Sequence, residues 1–227
     1  MQKLVIFSGS GVSAESGIKT FRDSGGLWED HDIYEVATPE AWQNNPTLVT
    51  EFYNARRKQV IEAIPNKAHL AIAELDNHFD VTVITQNVDD LHERAGSKKV
   101  IHLHGEIMKA RSSVDPNLIY HLDKPNLTEE DICDKGSRLR PNIVWFGEPV
   151  PLMELAATEV ILASTFIVIG TSLEVYPAAS LVDLVPTQAV KYYIDPNANK
   201  PVSNFHIIQE KAGVAMPNLS EKLIQNK

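Results

Sequence analysis

Short apolar runs alternate with stretches of helical periodicity along most of this chain. Residues 4–7, 81–85, 100–103, 166–169 and 190–194 are four or five long and mostly apolar, and turn or polar residues bound them. That pattern predicts buried strands of a parallel sheet. Between them, Val49, Phe52, Tyr53, Val60 and Ile64 form the apolar stripe of a helix from Asn45-Pro46 to about Ile64. Thr38-Pro39-Glu40 and Pro65-Asn66 are helix starts with a cap or a proline in place, the second opening a helix over 67–75. Helices are also predicted at 91–95, stopped by Gly96, and at about 151–163, 177–184 and 219–224, with 205–208 as an edge strand. Strand–helix alternation of this kind predicts an α/β fold with a doubly wound parallel sheet.

Residues 107–142 break the rhythm. Ser112, Ser113, Asp115-Pro116, Lys124-Pro125-Asn126 and Asp134-Lys135-Gly136-Ser137 predict a small inserted subdomain with weak strands, such as 118–122. The α/β pattern resumes at Ile143-Val144-Trp145-Phe146. A length of 227 residues suits one domain, 1–227, carrying that insert. With 43% hydrophobic and 22% charged residues, the chain reads as globular, without a membrane span. A formal net charge of −9 argues against nucleic acid as a partner. The single cysteine, Cys133, excludes an internal disulfide and fits a reducing compartment. No charged and apolar leader precedes Leu4, so a cytoplasmic location is expected. No feature of the sequence fixes an oligomeric state.

Candidate chemistry begins directly after the first strand. Gly9-Ser10-Gly11-Val12-Ser13-Ala14 fits the dinucleotide fingerprint, which makes the sheet Rossmann-like. Gly9 would permit the turn, Gly11 a close approach to pyrophosphate, and a following helix would offer its N-terminus to phosphate. An ordinary dehydrogenase would continue with a second strand and an acidic residue about 20 residues on. Residues 20–28 are instead a glycine-rich loop, suited to closing over a cofactor. Gln86-Asn87-Val88-Asp89 follows the strand at 81–85, where open α/β sheets bind ligands, although Asn and Asp there could equally cap a helix. Of eight histidines, His104 stands just past a strand end in the same register, and imidazole suits general-base work near neutrality. Arg56 interrupts the apolar stripe one turn after Tyr53. It either snorkels to solvent or receives an anion beside the tyrosine.

Gly9-Ser10-Gly11-Val12-Ser13, Phe21-Arg22-Asp23 with Gly26-Leu27-Trp28, Gln86-Asn87-Val88-Asp89, His102-Leu103-His104-Gly105 and Gly170-Thr171-Ser172 resemble the successive motifs of sirtuins. The similarity runs from Leu4 to about Pro217. It implies an enzyme that consumes NAD as co-substrate and removes acyl groups from the lysines of proteins or peptides. In that chemistry the acyl oxygen attacks the ribose carbon as nicotinamide leaves. A base then activates a ribose hydroxyl, and water releases lysine and O-acyl-ADP-ribose. The resemblance implies His104 as the base, Asn87 orienting ribose or water, and Asp89 holding the nicotinamide side. It assigns Phe21, Arg22, Asp23 and Trp28 to a shielding loop. Gly9, Ser10, Gly11, Val12, Ser13, Gln86 and Val88 would lie around phosphates and ribose, and Gly170, Thr171, Ser172, Asp195 and Ala212 toward adenosine. Val144, Phe146, Gly147, Glu148 and Tyr176 would line the acyl-lysine tunnel. Ala37, Tyr53 and Arg56 match the desuccinylating and demalonylating type, where a small residue leaves room and the tyrosine–arginine pair meets a carboxylate.

Three departures stand out. Ser10 replaces the usual alanine and Asp195 a common asparagine. Where sirtuins carry two Cys-x-x-Cys zinc pairs, this chain has Ser112 and Asp115, then Cys133 and Gly136, so no structural zinc is expected. A mixed site of Asp115, His121, Asp123 and Cys133 has no spacing to support it. Two other readings share the NAD motifs: a mono-ADP-ribosyltransferase or NAD glycohydrolase, and a non-catalytic NAD or ADP-ribose sensor.

Overall fold

The computed structural model describes residues 1–19, 27–28, 31–198 and 204–226. In chain order the strands are β1 (Lys3–Ser8), β2 (Leu27–Trp28), β3 (His31–Asp32), β4 (Asp80–Thr85), β5 (Val100–His102), β6 (Gly105–Ser112), β7 (Ile119–His121), β8 (Leu139–Ile143), β9 (Thr165–Ile169), β10 (Val190–Ile194) and β11 (His206–Ile208). The α-helices are α1 (Ile33–Val36), α2 (Pro39–Asn44), α3 (Pro46–Glu62), α4 (Lys67–Leu75), α5 (Leu91–Ala95), α6 (Met153–Ile161) and α7 (Ala212–Gln225).

Six strands form one parallel sheet in the order β11-β10-β9-β1-β4-β5, the Rossmann-like arrangement expected from the apolar runs. Successive side chains of β1 serve opposite layers. Leu4 and Ile6 pack with α4 and α7, whereas Val5 and Phe7 pack with α6 and the 3-10 turns of Ala178–Leu184. Burying each such side chain contributes about 1.5–3 kcal/mol, and β1 is anchored from both layers at once. Strands β4 and β5 are added on one side of β1 and β9, β10 and β11 on the other, and this switch in winding between β1 and β9 opens a crevice at their carboxyl ends. Among the described residues, no helix is long and apolar enough to cross a membrane.

Local structure departs from expectation in five places. After β1 the chain forms two 3-10 turns, Ser10–Val12 and Ala14–Ser16, rather than a helix with its dipole on phosphate. The cause is packing against the next loop. Gly11 N–H donates to the Gly170 carbonyl at 2.9 Å, and a Cβ on Gly170 would lie 2.3 Å from the Val12 nitrogen. Helix α3 ends at Glu62, which leaves Ile64 74% exposed rather than in the stripe. The Ala178–Leu184 segment is 3-10, and α7 starts seven residues before the expected closing helix.

The insert is the fifth difference. It is a three-stranded antiparallel sheet, β7-β6-β8, over its own core of Ala110, Leu122, Leu127, Cys133 and Leu139. Residue 143 ends β8 of this small sheet and does not resume the parallel one. Arg57, fully buried on α3, ties the insert to the body. Its Nε donates to the Ile107 carbonyl at 2.7 Å, and Nη1 donates to Asn54 Oδ1 and the Pro125 carbonyl.

Candidate active site

A cavity of about 480 Å³ occupies the crevice at the carboxyl ends of β1, β4 and β9. Its walls include Gly9, Ser10, Ser13, Gln86, Asn87, Val88, Asp89, His104, Gly170, Thr171 and Ser172. Ala37, Tyr53, Arg56, Val144, Phe146, Gly147, Glu148 and Tyr176 line it as well. The two groups named from sequence therefore share one space. Gly11 and Val12 do not line it: Gly11 packs on Gly170, and Val12 is core. Asp195 and Ala212 are buried outside its walls. Phe21, Arg22 and Asp23 lie outside the described residues, and Trp28 is described only through its backbone pairing with His31.

Polar strand ends build the floor. Asn87 Nδ2 donates to Ser13 Oγ at 3.1 Å, and Ser13 Oγ donates to Asp89 Oδ2 at 3.0 Å. Asn66 N–H donates to His69 Nδ1, which leaves the proton on Nε2, 3.5 Å from Ser13 Oγ. Burial pushes the Asp89 carboxyl above its ordinary pKa, and the Leu91 N–H, the Ser13 hydroxyl and the His102 charge pull against it. Burial lowers His69 to about 4, so the ring is neutral. Gln86 reaches across the crevice, Nε2 donating to Thr171 Oγ1 at 3.0 Å.

His104 sits on the turn from β5 to β6. Its Nδ1 lies 3.0 Å from the Gln86 carbonyl, which can only accept, so Nδ1 holds the proton and Nε2 keeps its lone pair. Burial lowers its pKa, and the Gln86 bond opposes this only in part. The neutral, basic form therefore persists near neutrality. Gly105 follows at φ +84, where a Cβ would fall 2.0 Å from the Asn142 carbonyl oxygen.

The far end of the cavity is lined by α1, Ala37, α3 and the segment after β8. Arg56 is 5% exposed and faces the cavity, so the snorkelling alternative does not hold. Tyr53 is fully buried. Burial keeps its phenol protonated, against the opposing Trp145 hydrogen bond and the Arg56 charge. Trp145 Nε1 donates to Tyr53 Oη at 3.1 Å. The Arg140 guanidinium stacks 3.3 Å from the centre of the Trp145 ring, and Glu148 binds both Arg140 and Arg111. Glu148 also accepts the Trp145 N–H at 2.8 Å. Sequence reading missed Trp145 although it lies within the quoted segment. It also missed Lys19 and, around the expected Tyr176, the lining residues Glu174, Val175 and Pro177.

The positions of the family's zinc cysteines do not fit a tetrahedral thiolate site. Ser112 Oγ accepts the N–H groups of Val114 and Asp115, Asp115 pairs with Lys135 at 2.8 Å, and Cys133 Sγ hydrogen-bonds Ser137 Oγ. Among the described residues no cluster of three His, Cys, Asp or Glu could hold a metal.

Residues 9–177 match the Sir2 family. An NAD-dependent protein deacylase of Helicobacter pylori (strain J99 / ATCC 700824) is 56% identical over 228 residues, covering 99% of this chain and 97% of that one. The crystal structure of a Sir2 homolog–NAD complex superposes with a TM-score of 0.88 at 41% identity, covering 99% and 90% of the two chains. A Sir2–p53 peptide–NAD+ structure matches with a TM-score of 0.78 at 27% identity, covering 99% and 92%. With the motifs, the crevice and these likenesses in agreement, the chain belongs to the Sir2 family.

Proposed function

We propose that this protein removes acyl groups from protein lysines at the expense of NAD, preferring succinyl and malonyl over acetyl. The observation that carries the reading is a single cavity lined by both His104 and the Tyr53–Arg56 pair. NAD lies along Gly9, Ser10, Ser13, Gln86, Thr171 and Ser172, with its nicotinamide toward Asn87 and Asp89. The acyl oxygen bonds to the ribose carbon as the glycosidic electron pair leaves with nicotinamide. His104 Nε2 then takes a proton from a ribose hydroxyl, which adds to the acyl carbon. Water completes the release of lysine and O-acyl-ADP-ribose.

At the tunnel's end, Arg56 and the Tyr53 hydroxyl bind the distal carboxylate of succinyl- or malonyl-lysine. An acetyl group leaves that polar contact unused, and a site built around such a contact discriminates strongly. The whole chain acts as one catalytic domain in the cytoplasm, its insert held without zinc. Incubation with NAD and acylated peptides, following nicotinamide and peptide mass, tests the reading. Faster removal of succinyl than acetyl is expected. Arg56→Met should lower succinyl kcat/KM by about 10–100-fold, the value of a charge-assisted hydrogen bond, and alter acetyl turnover much less. Transfer of ADP-ribose to protein, or nicotinamide release without deacylation, would favour the transferase or glycohydrolase reading.

A further inference from the structure

His102 is 7% exposed at the end of β5, two residues before His104, and both of its ring nitrogens face acceptors. Nδ1 lies 3.0 Å from the Asn87 carbonyl oxygen and Nε2 lies 2.6 Å from Glu93 Oε1. A carbonyl cannot donate, and neither can an ionised carboxylate, so two N–H groups are required and the ring is an imidazolium. Losing the Nε2 proton would set a bare nitrogen against a carboxylate oxygen at 2.6 Å.

The geometry points to His102 as a positioning residue for the reaction, its imidazolium strapping the Asn87 carbonyl to Glu93 and so fixing the loop that presents Asn87 and Asp89. This inference rests on the deacylase reading above. The loop has few other ties on that side. Ile107 N–H donates to the Val88 carbonyl at 2.8 Å, and Asn87 N–H donates to Thr85 Oγ1. The Asn87 side chain then reaches Ser13, and Ser13 reaches Asp89. A shift of the 87–88 peptide would carry both cavity-lining side chains with it.

The groups facing His102 are Glu93 of α5, Glu106 of β6, Asp89 and His92. Lys109 of β6 faces Glu93 and pairs with Glu106. Burial alone would strip the proton from His102, but the Glu93 hydrogen bond and charge outweigh it, with help from the Asn87 carbonyl and Glu106, and raise its pKa. The strap therefore needs ionised Glu93 and protonated His102, and it is lost as pH rises through that raised value. The same positive charge favours ionised Asp89, whose burial works the other way.

The test uses wild type, Glu93→Gln and His102→Gln. Ring 15N NMR of wild type at pH 7.5 should show both His102 nitrogens protonated. Plots of kcat against pH should fall on the alkaline side in wild type. In Glu93→Gln that limb should move at least about one pH unit lower, because the amide no longer holds the cation, with the His104 limb on the acid side unmoved. His102→Gln should lose the alkaline limb and lower kcat more than the peptide KM. An unprotonated Nε2, an unmoved alkaline limb in Glu93→Gln, or an equal loss at every pH would overturn the inference. Absence of wild-type turnover would instead sink the deacylase reading, and the NMR result would stand on its own.

Discussion

His102 and His104 hydrogen-bond through Nδ1 to consecutive carbonyls of one loop, Asn87 and Gln86, at 3.0 Å each. The two rings differ in what meets Nε2: Glu93 for His102, the cavity for His104. One carboxylate therefore separates a fixed cation from a neutral base on the same short segment.

The base prediction follows from that neutral ring. His104→Ala should keep NAD binding while deacylation falls by about 10²–10⁴-fold, the usual contribution of a general base. Because burial lowers the His104 pKa, the acid limb of wild-type kcat/KM should lie below the ordinary imidazole value of about 6.5. Near wild-type turnover in the variant would remove His104 from the mechanism.

Trp145 orients Tyr53. Its indole can only donate, so the Tyr53 oxygen is the acceptor and the phenol proton points elsewhere. Trp145→Phe should lower succinyl-peptide kcat/KM by about 2–10-fold, the worth of one neutral hydrogen bond, and acetyl-peptide kcat/KM less. Equal losses on both peptides would mean that Trp145 acts only through packing.

The insert should need no metal. Hydrogen bonds from Ser112 and the Asp115–Lys135 pair stand where thiolates and zinc would. Purified protein should contain well under one zinc per chain and keep its Tm in a strong chelator. Stoichiometric zinc with unfolding on chelation would contradict this.

Gly105 and Gly136 separate two costs. Both have positive φ, +84 and +74, but only Gly105 has a neighbour in the way of a Cβ. Gly136→Ala should cost about 1–3 kcal/mol of backbone strain. Gly105→Ala must also displace the Asn142 carbonyl, so its Tm should drop clearly further. Equal drops would refute the collision.

His69 and His92 predict acid lability. Burial lowers His69 to about 4 and His92 well below its ordinary value, so the unfolded chain binds more protons at mildly acid pH. Stability should fall as pH drops from about 6.5 toward 4, with slope set by the difference in bound protons. Urea unfolding at several pH values measures it. A flat profile across that window would be inconsistent with two neutral buried imidazoles.

The sequence by itself determined the parallel strands, because an apolar run of four or five residues bounded by turns has few other ways to bury itself. It also determined which strand ends carry polar chemistry, since Gln86–Asp89 and His104 stand at fixed offsets from those runs. Tertiary structure decided features that depend on a distant partner. Residues 10–16 and 178–184 are 3-10 rather than α. For the first of these, backbone contact between Gly11 and Gly170 outweighs local helical preference. In the insert, β6 pairs antiparallel with the distant β8 as well as with β7, and the irregular burial of β6, the three-residue length of β7 and the unbroken burial of β8 leave no alternating signal. Likewise no local pattern brings Glu93 to His102 or Trp145 to Tyr53. Those pairs exist because helix α5 packs against α4 with Glu93 reaching the end of β5, and because the segment after β8 meets α3, and hydrogen bonding inside a low-dielectric interior then fixes which nitrogen carries a proton.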